Sequence, residues 1–246
     1  MALSEEFERT GNWLFKHRSW IPMLLFPIAG IIIWFDKQEW VDHHNLYWSV
    51  GCLTLSMLGL VIRAATIGHT PRGTSGRNTK QGQVAEKLNT TGIYSMLRHP
   101  LYLGNFLMWL GLILYTGVSY FVVFSVFFFW IYYERIMYAE ESFIRSKFKE
   151  EYDAWAKKTP PFFPSLKNYR KPSLPFSLKN VLKREYTGFF VTIASFTLVN
   201  LMKNISYENQ YLPDRIWINL LLAGLVIYLT LRTLKKHTKV LHVAGR

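Results

Sequence analysis

The chain has 246 residues, is 50% hydrophobic and 17% aromatic, and carries a formal net charge of +13. Apolar runs separated by basic segments fit a small polytopic membrane protein and exclude a disulfide-framed secreted domain, because the one cysteine, Cys52, lies inside an apolar run. A basic balance also suits nucleic-acid binding, but that reading expects the charge on one soluble face, so no nucleic acid is expected as a partner.

Residues 1–19 are polar and end in Lys16-His17-Arg18, with Glu5, Glu6 and Glu8 in place of a signal-peptide start. Residues 20–35 read as a first membrane helix, in which Pro22 is tolerated near the start and Pro27 is expected to introduce a kink. A short acidic connection over 36–45 carries Asp42, His43 and His44, to which no metal is assigned. The second helix is expected over 46–62, with Arg63 marking its exit.

Residues 63–98 mix Arg72, Arg77, Lys80, Lys87 and Arg98 with several glycines, a composition for a surface loop that wraps a polar ligand. The run 73–77 lacks the spacing of a nucleotide-binding phosphate loop. Residues 101–133 carry no charge and are too long for one span of roughly 20 residues. The turn-like stretch 115–119 divides them into a tight hairpin, the third and fourth helices, whose second arm continues as an amphipathic extension to about residue 158. Pro160, Pro161 and Pro164 end the extension, Pro172 and Pro175 keep the next stretch irregular, and runs at 189–201 and 216–231 make a fifth and a sixth helix.

The fold class expected is therefore an all-α integral membrane protein of about six transmembrane helices, in three segments, 1–62, 63–166 and 167–246. The positive-inside rule puts the basic pieces, both termini included, in the cytoplasm, which for a bacterial protein means the inner membrane.

The chemistry is expected where residues 88–105, a polar turn-forming loop, run into an apolar segment. Pro100 is preset for a first helical turn, so a helix should begin at His99 or Pro100 and offer its amide groups and dipole to an anion. His99 also has a plainer reading as a helix cap. Glu140-Glu141 likewise has a plainer reading as a solvated pair, and at 100° per residue only one of the two should face a site.

The stretch Leu88 to Gly104, with Gly92, Tyr94 and Arg98-His99-Pro100-Leu101-Tyr102, resembles the isoprenylcysteine carboxyl methyltransferase family of integral membrane enzymes. A second signature of that family matches Glu140-Glu141, Ile144, Phe148, Tyr152, Trp155 and Pro164, with Lys149 where a glycine is usual. The resemblance covers about residues 46–166 and implies S-adenosylmethionine as cofactor, with a site built from loops and helix ends at the cytoplasmic face. It assigns Lys87, Leu88, Asn89, Tyr94, His99, Pro100, Leu101, Tyr102 and Glu140 to that cofactor and places a substrate-binding arginine near Arg135. With Arg98 at the membrane edge this makes the catalytic pair expected, although Arg98 also has an ordinary positive-inside explanation. Arg135 stands five residues before Glu140, where the family has four.

The loop sequences look similar to bacterial relatives that methylate the 1-phosphate of lipid A, which implies a lipid phosphate as acceptor with Arg72 and Arg77 as substrate-binding residues. An isoprenylcysteine-type carboxyl methyltransferase, a sterol-reductase-like enzyme and a non-catalytic lipid-binding protein stay open beside it. The partners implied are a membrane lipid and the bilayer, with no obligate protein partner.

Overall fold

A computed structural model describes residues 2–36, 42, 44–71 and 85–245. They form seven α-helices: α1 (Leu3–His17), α2 (Leu25–Phe35), α3 (Leu46–Gly68), α4 (Pro100–Tyr115), α5 (Ser119–Ala156), α6 (Leu178–Glu208) and α7 (Arg215–His237). Among the described residues the extended structure is limited to one isolated bridge between Gly92 and Arg170.

Helices α3, α5, α6 and α7 are long and apolar enough to cross a membrane, and α1 with residues 21–35 makes a fifth candidate, bent by 76°. That is fewer than the six expected, because α4 has 16 residues and α2 has 11, against roughly 20 for an upright span. The hairpin turn lies where the sequence put it, at residues 116–118.

Three departures from expectation have physical causes. The chain bends at residues 18–20, ahead of the 3₁₀ turn that holds Pro22, and not at Pro27, because α2 starts at Leu25 and so holds Pro27 in its first turn, where a missing N–H costs no helical bond. The polar start of the chain is itself helical: α1 lays Phe15 and Gly11 against α5, and the Arg135 carbonyl sits where a Cβ on Gly11 would go. Helix α3 continues through Arg63 to Gly68, because α6 brings Glu185 to neutralise that charge.

The α3–α4 contact is close. A Cβ on Gly104 would lie 2.6 Å from Arg63 Cγ and 2.7 Å from the Gly59 carbonyl, so only glycine lets these backbones approach, and Ser56 Oγ donates to the Met108 carbonyl at 2.7 Å nearby. Aromatic packing fills the rest: Phe129 among Phe106, Trp109 and Tyr133 on one side, and Phe196 between Tyr115 and Trp217 on the other. Where α6 turns into α7, Asn200 and Asn204 donate to Asp214 at 2.9 and 3.0 Å.

Helix α5 is broken at Lys149, which has φ 43° and ψ −113°, and the last helical stretch beyond the break brings Tyr152 and Trp155 to the same cavity as the start of α4. This backbone conformation favours glycine, the residue usual at that place in the signature matched above. Lys149 is exposed, so its side chain compensates little. Lys149→Gly is expected to stabilise the protein by about 1 kcal/mol, read as a raised thermal unfolding midpoint in detergent; a lowered midpoint would contradict the strain.

Candidate active site

The site is built where the loop ahead of α4 meets α5. Residues 160–173 run along that loop and bind it by backbone: the Arg98 and His99 N–H groups donate to the Pro160 and Pro161 carbonyls, Gly92 N–H to Arg170, and Ser165 N–H to Met96. The Arg170 N–H donates to Ser95 Oγ at 2.8 Å, and the Trp155 indole N–H to the Tyr94 carbonyl at 3.0 Å. Prolines suit this strap, since they need no partner for an N–H and present only carbonyls.

Helix α4 begins at Pro100 with His99 as N-cap by position, but the His99 ring makes no cap bond. It turns instead toward α5. Its Nε2–H donates to Glu141 Oε1 at 2.8 Å, while Nδ1 lies 3.7 Å from Glu140 Oε2. Tyr102, stacked on His99 with ring centres 5.5 Å apart, donates its hydroxyl to Glu140 Oε2 at 2.8 Å.

The two glutamates therefore both face the site, against the expectation that one would point away. They diverge by 100° on α5, and His99 sits in that angle and receives one from each side. Arg98 adds a further tie: its Nε is 3.2 Å from Glu141 Oε1, off line for a hydrogen bond, and its Nη1 is 3.4 Å from the Tyr152 hydroxyl.

Behind these groups lies a cavity of about 300 Å³. Its wall contains Lys87, Leu88, Asn89, Tyr94, Arg98, His99, Pro100, Leu101, Tyr102 and Glu140, the residues that the sequence singled out from three separated stretches. Desolvation on the wall raises the Tyr94 hydroxyl above the ordinary tyrosine value, and the Glu140 carboxylate adds to the shift, so Tyr94 is a neutral hydrogen-bonding group there.

Arg135 is not in this wall. Its guanidinium lies 3.4 Å over the Phe7 ring, against α1. Five residues before Glu140 turns it about 140° from that carboxylate's side of the helix, which is the physical cost of the extra residue. Arg72 and Arg77 lie outside the described residues.

Sequence reasoning gave no role to several residues of the wall: Arg18, Arg63, Asn105, Arg184 and Glu185. Arg63 and Glu185 carried a signal, a charge adjoining an apolar helix, which asks for a partner. The first turn of α4 offers an anion less than expected, because Pro100 has no N–H and the Tyr102 and Leu103 amides bond the His99 carbonyl. Charge brought to the cavity must be met largely by side chains.

Comparison with known proteins then fixes the family. A family model described as phospholipid methyltransferase matches residues 49–151, from α3 through the glutamate pair of α5. The nickel-cobalt-cadmium resistance protein NccN of Alcaligenes xylosoxydans xylosoxydans is 31% identical over 164 residues, covering 66% of this chain and 71% of that one. The cobalt-zinc-cadmium resistance protein CzcN of Cupriavidus metallidurans is 33% identical over 166 residues, 66% of this chain and 70% of that one. This chain belongs to the phospholipid methyltransferase family. It is by family a membrane methyltransferase, and α6, which closes the cavity with Arg184 and Glu185, lies outside the matched stretch. No solved structure matches the chain significantly.

The half-buried Glu141 holds the loop to the helix, whereas Arg145 and Asp153 form an exposed pair at 2.9 Å. Glu141→Ala strands His99 and Arg98 and should cost about 2 kcal/mol of stability. Arg145→Ala should cost under about 1 kcal/mol. Thermal unfolding of both variants checks the order; equal losses would contradict the role given to Glu141.

Proposed function

We propose that the protein transfers a methyl group from S-adenosylmethionine to an anionic oxygen of a membrane lipid at the cytoplasmic face, with a lipid phosphate such as the 1-phosphate of lipid A as acceptor. The observation that carries this reading is the single cavity that gathers the loop residues 87–89, Tyr94, the His99–Tyr102 turn and Glu140. A volume of about 300 Å³ is at the small end of the range for cofactor pockets. Aromatic faces at Tyr94 and Tyr102 suit a sulfonium cation, and the Glu140 carboxylate suits the hydroxyl or amino groups of a nucleoside.

Transfer from sulfonium to oxygen is an in-line displacement: the acceptor oxygen bonds to the methyl carbon as the carbon–sulfur bond breaks, and the electron pair stays on sulfur. A phosphate is already ionised at neutral pH, so the protein must align donor and acceptor and need not remove a proton. The acceptor is read from charge. Five cationic side chains, Arg18, Arg63, Lys87, Arg98 and Arg184, stand in the wall against three carboxylates, Glu140, Glu141 and Glu185. A cleft of about 740 Å³ lies on the far side of Arg98, Glu141 and Tyr152, which line both spaces. In this reading the headgroup approaches through that cleft and meets the cofactor at Arg98.

The relatives' names bear on the reading in one way. Esterifying a phosphate removes an ionisable oxygen and weakens its hold on divalent cations, which would link lipid methylation to metal resistance. Among the described residues no group of three or more His, Cys, Asp or Glu is placed to hold a metal.

The test joins binding to turnover. In calorimetric titration His99→Ala and Glu140→Gln should each weaken S-adenosylmethionine binding tenfold or more, and Arg135→Ala should not. Inverted membrane vesicles given labelled S-adenosylmethionine should label lipid A and not a farnesylcysteine analogue. Label on the farnesylcysteine analogue alone would replace the phosphate by a carboxylate, and unchanged binding in both site variants would remove the cofactor assignment.

A further inference from the structure

Arg63 is the charged residue that α3 carries deepest into its neighbours. Its Nε and Nη2 donate to the two oxygens of Glu185, each at 2.8 Å, and its Nη1 donates to Asn105 Oδ1 at 2.6 Å. Three helices meet in this cluster, α3, α4 and α6, and the Glu185 side chain is only 6% exposed. The stem of Arg63 passes over Gly104, where any Cβ would lie 2.6 Å from its Cγ, so a side chain at position 104 would displace it.

A structural ion pair would account for the two bonds to Glu185. It does not account for the place of Arg63 in the wall of the same cavity as Tyr94, His99 and Glu140. A guanidinium has five N–H donors. Three are spent on Glu185 and Asn105, which leaves two, in a plane already fixed by the other three.

We propose that Arg63 is an anion-binding residue of this site, whose two remaining donors take a paired-oxygen group, a carboxylate or a phosphate, and that Glu185 on α6 is the residue that positions it. The inference rests on the methyl-transfer reading for the sources of that group: the carboxylate of the cofactor or the phosphate of the lipid. It also gives α6 a part in the site. Without Glu185 the guanidinium would be an uncompensated charge, free to rotate, and its fork would no longer be aimed. Lysine at position 63 keeps the charge beside Glu185 but offers no planar fork.

The experiment uses the full chain in lipid nanodiscs, wild type, Arg63→Lys, and the double variant Arg63→Gln with Glu185→Gln, which removes both charges together and so leaves none stranded. Three probes are titrated: S-adenosylhomocysteine, methylthioadenosine, which lacks the amino-acid carboxylate, and inorganic phosphate. Both variants should lose tenfold or more in affinity for one paired-oxygen probe and stay within twofold of wild type for methylthioadenosine. Loss confined to S-adenosylhomocysteine identifies the cofactor carboxylate; loss confined to phosphate identifies the headgroup. Phosphate binding that depends on Arg63 in a protein that binds neither nucleoside keeps the inference and removes the methyl-transfer reading. Parallel loss of methylthioadenosine, which a merely structural pair would give, or retention of both anions in the folded variants, or a wild type that binds neither anion, overturns it.

Discussion

The position of His99 between Glu140 and Glu141 is the constraint on which the site depends. The loop ahead of α4 has little regular structure, and its backbone is held on one side by the proline strap of residues 160–173. The His99 bond to Glu141, the contacts of Arg98 with the same carboxylate and with Tyr152, and the Trp155 bond to the Tyr94 carbonyl fasten it to α5 on the other, and Tyr102 in the first turn of α4 adds its bond to Glu140. Both carboxylates must be present, because each accepts from a different partner. Removing either would leave a polar group of the loop unpaired at the edge of the cavity.

A second set of polar contacts explains why α6 looks less apolar than a membrane helix should. Its face toward the bundle carries buried Asn180, Glu185, Thr192, Ser195, Thr197, Asn200, Lys203, Asn204 and Ser206. Four of these are spent on neighbouring helices: Asn180 on the Ile67 carbonyl at 2.8 Å, Glu185 on Arg63, Lys203 on the Tyr115 carbonyl at 3.1 Å, Ser206 on the Ile33 carbonyl at 2.7 Å. Within a bilayer such groups must find partners inside the protein. Helix α6 is thus tied to α2, α3 and the end of α4 along its length, which is what lets its first turns serve as a cavity wall.

Local signals made much of this legible. Pro100 marked the start of α4, the stretch 115–119 marked the hairpin, and the spacing of two signatures drew the loop and Glu140 together before any geometry was known. What escaped was long-range pairing. Arg63 read as the end of a helix because a charge at an apolar boundary has that ordinary meaning, and its partner is 122 residues further on. Glu141 read as turned away because a helical wheel knows the angle between two residues but not the width of what fits between them. Arg135 shows the converse: the one-residue offset in its spacing was visible, and the helix did carry it to the Phe7 side. The bend at residues 18–20 rather than at Pro27 turned on where the helix begins, since a proline in a first turn interrupts no helical bond.

The account stands on one claim above the others, that the cavity behind His99 serves methyl transfer to a membrane lipid. The most direct measurement is mass spectrometry of the total lipids of cells that make the wild-type protein and of cells that make the His99→Ala variant. The account predicts a methyl increment on an anionic phospholipid or lipid A species with the wild type alone; identical lipid profiles in the two would contradict it.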